Sequence, residues 1–447
     1  MKTEKASLLR EIIETPKAPY ANHGGLMFTD IRFTGNAYLS SQNLSPRDLF
    51  AANCEFESLL IIEEIVHKNY TFKDCVFEGD VKVLCKESMN FIRFLNCIFK
   101  KDLIINGKKF NSVIIESDIE GTLSIESGKF EKLVIGTDYK GKKHSIKFLH
   151  IDFSGSKGIM LFRHLQINNL TLSGTNSKES EASFFSVGVF VFNILHLSNE
   201  GKIRFSDLIW NDALNNEAYR SFYSFQSNLG KTEFFNFNFN CFQEIEFIQS
   251  VLIECVFINT VWPRHYFKPD LKLNEDRLVE LREEFRQLKF VLSKQGDSVR
   301  EHEFHAFEMR TLLLLSSRRL FNFRNNDIKR THTWRQNLQN WVVLILSWLS
   351  SNFGLSWLRP IFFILFVNFF LVYLGLYEFN WKSLFSIFNF HSSIDYDAIG
   401  KFLYYCSPFR RFDNSITGKA SIFDILIRVV SSYGIYNFIR ATRRHVK

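Results

Sequence analysis

The chain has 447 residues and carries 50 phenylalanines against 21 glycines and 7 prolines, which excludes collagen-like, linker-rich and broadly disordered readings. Its formal charge of +8 is uneven: residues 1–270 hold 30 Lys+Arg and 32 Asp+Glu, a net of −2, and residues 271–447 hold the remaining 25 and 15, a net of +10. Basic residues beside apolar runs point to a membrane surface, with anionic lipids of an inner leaflet as partners, ahead of nucleic acid, which is not expected to bind.

Residues 1–45 read as a lead-in that caps the first coil of a repeat region. Lys5 to Ile13 suits a short helix, and MFTDIRF (27–33) alternates as a strand does. The opening MKTEKASLLREI lacks the apolar core of a secretory signal. The seven cysteines contain no Cys-x-x-Cys and read as reduced, small core residues.

Residues 46–263 repeat a short phrase. It is DCVFEGDVKV at Asp74–Val83, NCIFKKDLII at Asn96–Ile105 and ESDIEGTLSI at Glu116–Ile125, with an earlier copy at Asn53–Ile62 and a late one at Glu254–Trp262. The large anchors Phe56, Phe77, Phe99 and Ile119 are 21, 22 and 20 residues apart. A period near twenty built from β-prone runs predicts a solenoid. Alternation of period two favours strands over helices. Asn106-Gly107 is the one tight-hairpin signal, so stacked parallel coils are preferred to a sandwich, roughly ten of them at about 4.8 Å each. Two polar stretches, Thr137–Ser145 and Ser173–Ser183, read as loops projecting from the rod.

A finer grid of five lies inside the repeat: Phe72 and Phe77, then Phe94, Phe99 and Ile104. Two places before each anchor stands a small residue: Cys54, Cys75, Cys97, Ser117 and Cys255. A large inward residue fills the shaft, and a small neighbour makes room for it. This grid resembles the pentapeptide-repeat family, in which both residues point into a β-helix. The register breaks at Lys82, Lys109 and Ser124 and is lost from Gly136 to Asn240. The expected fold is a mainly β solenoid, a right-handed parallel β-helix of degenerate pentapeptide-like coils, followed by an α-helical hairpin and a C-terminal membrane helical segment.

Residues 271–335 switch to helical spacing. Leu278, Leu281, Phe285, Leu288 and Leu292 form one face, Asn274 with Asp276 supplies N-cap chemistry, and Gly296 separates a second helix carrying Phe304, Phe307 and Met309. His302, Glu303 and His305 do not have the His-Glu-x-x-His spacing of a zinc enzyme. No catalytic, metal-binding or cofactor-binding residue is expected, because no phosphate loop or nucleophile elbow occurs anywhere.

Residues 336–447 carry the membrane signal. Leu338–Ser350 is apolar but short and suits an interfacial helix; Asn352-Phe353-Gly354 breaks it. Residues 360–377 read as the first crossing and 421–439 as a weaker second. Trp341, Trp348, Trp357 and Trp381 stand as interfacial anchors. Asn368, Asp424 and Arg428 are the polar residues within the apolar runs, and Asp424 and Arg428, one turn apart, can pair. Two crossings put both ends in the cytoplasm and residues 378–419 outside; with the last helix in the interface, that loop stays inside.

The order of parts resembles bacterial membrane-associated pentapeptide-repeat proteins. The residues that carry the likeness are EFRQLKFVLSKQGD (284–297), SNFGLSWLRP (351–360) and IYNFIRATRRH (435–445). The resemblance implies a protein of the bacterial inner membrane with its β-helix in the cytoplasm, presented to a protein partner, with self-association open. Relatives with a potassium-channel-like pore carry a Thr-x-Gly-Tyr-Gly type filter, and nothing between Glu378 and Lys419 matches it. Two functions are expected: a membrane-anchored scaffold, or a membrane effector gated through the rod.

Overall fold

The computed structural model describes residues 2–5, 21–22, 25–39, 48–63, 69–126, 128–138, 143–208, 219–263, 273–321, 331–375, 396–411 and 418–443. The chain divides into two compact units, Met1–Lys268 and Pro269–Lys447. The expected helix at Lys5–Ile13 falls outside the described residues except at Lys5, which ends a strand, Lys2–Lys5.

The first unit is a parallel β-solenoid. Its strands pair with those of the next coil in register, so equivalent residues stack in columns along the axis. One column runs Phe28, Ala51, Phe72, Phe94, Ile115, Ile135, Phe162, Phe184, Phe205, Phe234, Phe257. A second runs Phe33, Phe56, Phe77, Phe99, Ile119, Ile146, Ile167. A third runs Leu39, Ile62, Val83, Ile105, Ile125, Ile151, Leu172, Ile194.

Strand alternation sends these residues inward, and they are buried. Because coils repeat at the strand spacing, the rings meet face to face: Phe56–Phe77 centroids are 5.1 Å apart and Phe77–Phe99 4.7 Å. Neighbouring columns meet edge to face, as Phe94 does with Phe99 at 5.3 Å. Cys54, Cys75 and Cys97 lie inside beside the rings.

The corners have their own chemistry. Asn53, Asp74 and Asn96, each just before the small cysteine, have φ of 52°, 51° and 51°. That left-handed conformation suits Asn and Asp better than other side chains. Asn53 and Asp74 donate their N–H to the carbonyls of Lys73 and Leu95 in the next coil, at 3.1 and 2.9 Å. Gly158, within strand Lys157–Arg163 where the pairing with Phe130 is irregular, is also left-handed at φ 97°; a Cβ there would lie 1.7 Å from the Phe130 carbonyl oxygen.

Two boundaries differ from expectation. The rod starts before residue 46: strands Gly25–Thr29, Ile31–Thr34 and Ala37–Leu39 stack on Asp48–Ala52, Glu55–Phe56 and Leu60–Glu63. Ile31 occupies the position that Cys54 holds one coil later, so the small-residue signal is absent there. Ser173–Ser183 does not project either. It lies in strands Leu165–Asn176 and Ser180–Phe185 and the corner between them. Its polar groups are used in stacking: buried Asn176 donates Nδ2 to Asn199 Oδ1 at 2.7 Å, and Asn199 donates in turn to the Leu229 carbonyl at 2.9 Å. In Thr137–Ser145, Thr137 and His144 are buried and residues 139–142 lie outside the described residues. The rod closes on Trp262, stacked at 4.2 Å on Phe239.

The second unit is helical. Helices α1 (Glu275–Lys294) and α2 (Ser298–Phe321) form the hairpin. Asn274 caps α1 by accepting from Arg277 N–H, and Gly296 at φ 80° ends it. Then come α3 (Thr331–Ser351), α4 (Leu358–Gly375), α5 (Tyr396–Cys406) and α6 (Lys419–Arg443). Helix α3 is longer than the expected apolar run, and α5 lies where the sequence pattern suggests only a loop.

Candidate functional site

In the helical unit, packing places polar groups inside and large apolar side chains on the surface. Helices α4 and α6 run antiparallel, with Phe363 against Tyr433 at 6.3 Å and Asn368 against Ser431. Asn368 is fully buried and donates Nδ2 to Ser431 Oγ at 2.8 Å. Gly434 lets the helices approach: a Cβ there would lie 2.2 Å from the Ile364 side chain. Tyr433 also reaches Ser350 of α3 at 3.5 Å.

The polar groups therefore face each other, while large apolar side chains face out. Val343 is 63% exposed, Phe362 66%, Phe366 65% and Val429 59%. Ile422, Ile425, Leu349 and Ile439 are exposed with them. A water-soluble bundle places such residues inside; exposed apolar surface this extensive marks an interaction with a partner or a membrane.

Asp424 and Arg428 pair as expected, Nε donating to Oδ2 at 2.9 Å. Arg410 joins them: it is buried, forms an ion pair with Asp424, and lies over the Tyr405 ring at 4.4 Å. Arg428 also donates to the carbonyls of Arg410 at 2.6 Å and Arg411 at 3.1 Å. The cluster thus ties the chain after α5 onto α6. The sequence pattern shows Arg410 only as a loop cation. Its burial depends on a tertiary contact eighteen residues short of Arg428, which no local spacing reveals.

Among the described residues, one helix is long and apolar enough to cross a bilayer, Ala420–Thr442; Leu358–Val372 is a shorter apolar one. Residues 376 and 377 of the expected first crossing lie outside the described residues. Helix α4 has 18 described residues, about 27 Å at the helical rise, whereas α6 has 25. The tryptophans also divide. Trp348 and Trp357 are exposed. Trp341 is turned to α2, donating Nε1 to Ser317 Oγ at 3.0 Å. Trp381 lies outside the described residues.

Set beside known proteins, the chain matches no family model, no curated protein and no solved structure.

The rod offers two open grooves. The larger, about 1090 Å³, is lined by Met27, Phe50, Thr71 and Phe91 beside a ladder of amides. There Asn69 donates to Asp48, Asn90 to Asn69 and Asn111 to Asn90, each at 3.1 Å. The smaller, about 680 Å³, holds Arg163, Phe185, Arg204 and Phe235. Outward charges are matched between coils, as in Lys100–Glu120 at 2.8 Å, Lys157–Glu179 at 2.7 Å and Arg204–Glu233 at 2.6 Å. Two of the cysteines are poor nucleophiles: a hydrogen bond with Cys75 and burial push the Cys54 thiol up, and burial does the same at Cys255. Among the described residues, no group of three His, Cys, Asp or Glu side chains could hold a metal.

Proposed function

We propose that this protein is a membrane-anchored scaffold whose β-solenoid presents an interaction surface to a protein partner, without catalysis. The observation that carries this is the inverted polarity of the helical unit: Asn368, Ser431 and Asp424 inside, Phe362, Phe366 and Val429 outside. A bilayer is the medium that rewards that arrangement. The α4–α6 pair is its anchor. Arg359 at the start of α4 and Arg440 near the end of α6 share one end of that pair, which fits a cytoplasmic face. The Asp424 cluster lies about 24 Å away along α6. The Asn/Asp-Cys-x-Phe phrases and SNFGLSWLRP support kinship with membrane-associated pentapeptide-repeat proteins of bacteria, and so an inner-membrane location. The groove along Met27, Phe50 and the amide ladder is the surface proposed for the partner.

A pore is the weaker reading. Its polar candidates are engaged with one another, Asn368 with Ser431 and Asp424 with Arg428.

Fractionation of cells with tagged termini tests the anchor. The protein is expected in the membrane fraction after alkaline extraction, with both termini protected in intact cells. A soluble protein, or an N-terminus open to external protease, overturns it. Ion flux through liposomes holding the full chain would favour the pore.

A further inference from the structure

Three arginines from distant stretches meet at the joint between α3 and α4. The joint is Asn352, Phe353 and Gly354, all left-handed, with φ of 52°, 59° and 88°. Phe353 is held in this conformation by burial against Ala306 and Leu344. The turn exposes Asn352 Oδ1 to Arg310 of α2, whose Nη2 donates to it at 3.0 Å. On the other side, Arg440 Nε of α6 lies within van der Waals reach of the turn, 3.9 Å from where a Cβ at Gly354 would stand. Arg440 Nη2 in turn lies 3.1 Å from His305 Nε2. Arg359, exposed in the first turn of α4, is the third.

Among the described residues none of Arg310, Arg359 and Arg440 makes an ion pair. Glu308, 3.9 Å from His305, is paired with Lys289 at 2.6 Å. The crowding is felt at Arg310, where burial and the neighbouring Arg359 cation both push the pKa down. The N-terminal end of α4 adds partial positive charge. Like charges gathered this way repel unless an anion joins them. The joint also falls between exposed Trp348 and Leu349 on α3 and exposed Trp357, Leu358 and Phe362 on α4. If those faces lie in a bilayer, the joint lies at the depth of the lipid headgroups.

The geometry points to a lipid-phosphate site at this joint, in which Arg310, Arg359 and Arg440 hold the phosphate of an anionic membrane lipid. Guanidinium groups match phosphate oxygens with paired, charge-assisted hydrogen bonds. The site rests on the membrane-anchor reading and adds to it a specific ligand.

The test uses the full chain purified in detergent and native mass spectrometry of retained lipid. The probes are phosphatidylglycerol, phosphatidylcholine and inorganic phosphate, each alone and in competition. Phosphatidylglycerol is expected to be retained over phosphatidylcholine. Each of Arg310→Gln, Arg359→Gln and Arg440→Gln is expected to reduce its retention about fivefold, and the triple variant about a hundredfold. Arg286→Gln, an exposed change on α1, is expected to leave it unchanged. The triple Arg→Lys variant keeps the charge without the paired guanidinium geometry and is expected to keep part of the preference, which separates lost binding from lost folding. Equal retention of the two lipids by the wild type overturns the site, as does full retention by the triple Gln variant. Inorganic phosphate bound as tightly as the lipid overturns its assignment to a lipid. Alkaline extraction reads the anchor separately: a wild type that leaves the membrane sinks the anchor, and one that stays without lipid preference sinks only this site.

Discussion

At Asn53 the backbone turns a corner that most side chains resist. Its φ of 52° costs an ordinary L-residue about 1–2 kcal/mol, more for a β-branched one. Asn53→Gly is therefore expected to leave the rod's denaturant midpoint nearly unchanged, while Asn53→Val lowers stability by about 1–2 kcal/mol. Equal effects from the two changes would show that the corner is not conformationally selected. Glu308 gives a second prediction. Burial raises its carboxyl pKa, but hydrogen bonds from His305 and Lys289 outweigh this and hold it down at about 2. A depressed carboxylate stabilises fully above its unfolded pKa of about 4.3 and loses that contribution as pH falls toward the folded value. Glu308→Gln is expected to destabilise the hairpin by about 1–3 kcal/mol at neutral pH. Thermal melts in detergent should show the gap closing between about pH 4.3 and pH 2; a gap constant across that window rejects the pairing. The anchors Phe56, Phe77 and Phe99 and the cysteines beside them were legible because one inward position per face must be large and its neighbour small. The left-handed Asn53, Asp74 and Asn96 just before those cysteines carried an equally regular signal, and period-two reading passes over it because a left-handed residue interrupts the alternation.

The helices show what local pattern leaves out. The α1–α2 hairpin was readable to its caps, since Asn274 and Gly296 act within a turn of where they stand. The α4–α6 pairing was readable only as two apolar runs. Its specificity comes from Gly434 against Ile364 and Asn368 against Ser431, contacts across more than sixty residues of chain. Gly434→Ile is expected to push the helices apart. Cysteines placed by Phe363→Cys and Tyr433→Cys, where the rings lie 6.3 Å apart, should cross-link readily in the parent and poorly in that variant. Undiminished cross-linking would mean the helices do not rely on this close approach. The Arg310–Arg359–Arg440 joint was beyond sequence reading for the same reason. Each arginine was visible in a basic stretch, but their convergence is made by the turn at Asn352–Gly354.

For the whole molecule, stability in the rod is a sum over neighbouring coils, since each coil meets only those above and below it. The stacking of Phe77 on Phe99 spans 22 residues, from one column position to the next. Removing residues 78–99 therefore takes out one complete coil and joins equivalent positions. The shortened protein is expected to fold with a similar circular dichroism spectrum. Spin labels at Lys73 and Lys202 should move closer by about 4.8 Å. Removing only residues 78–88 takes out half a coil, sets inward residues outward and is expected to give aggregated protein. The in-register columns thus make the rod a ruler graduated in strand spacings. Whatever binds near one end can be set nearer to or farther from whatever binds near the other by adding or deleting whole coils, without redesigning either surface.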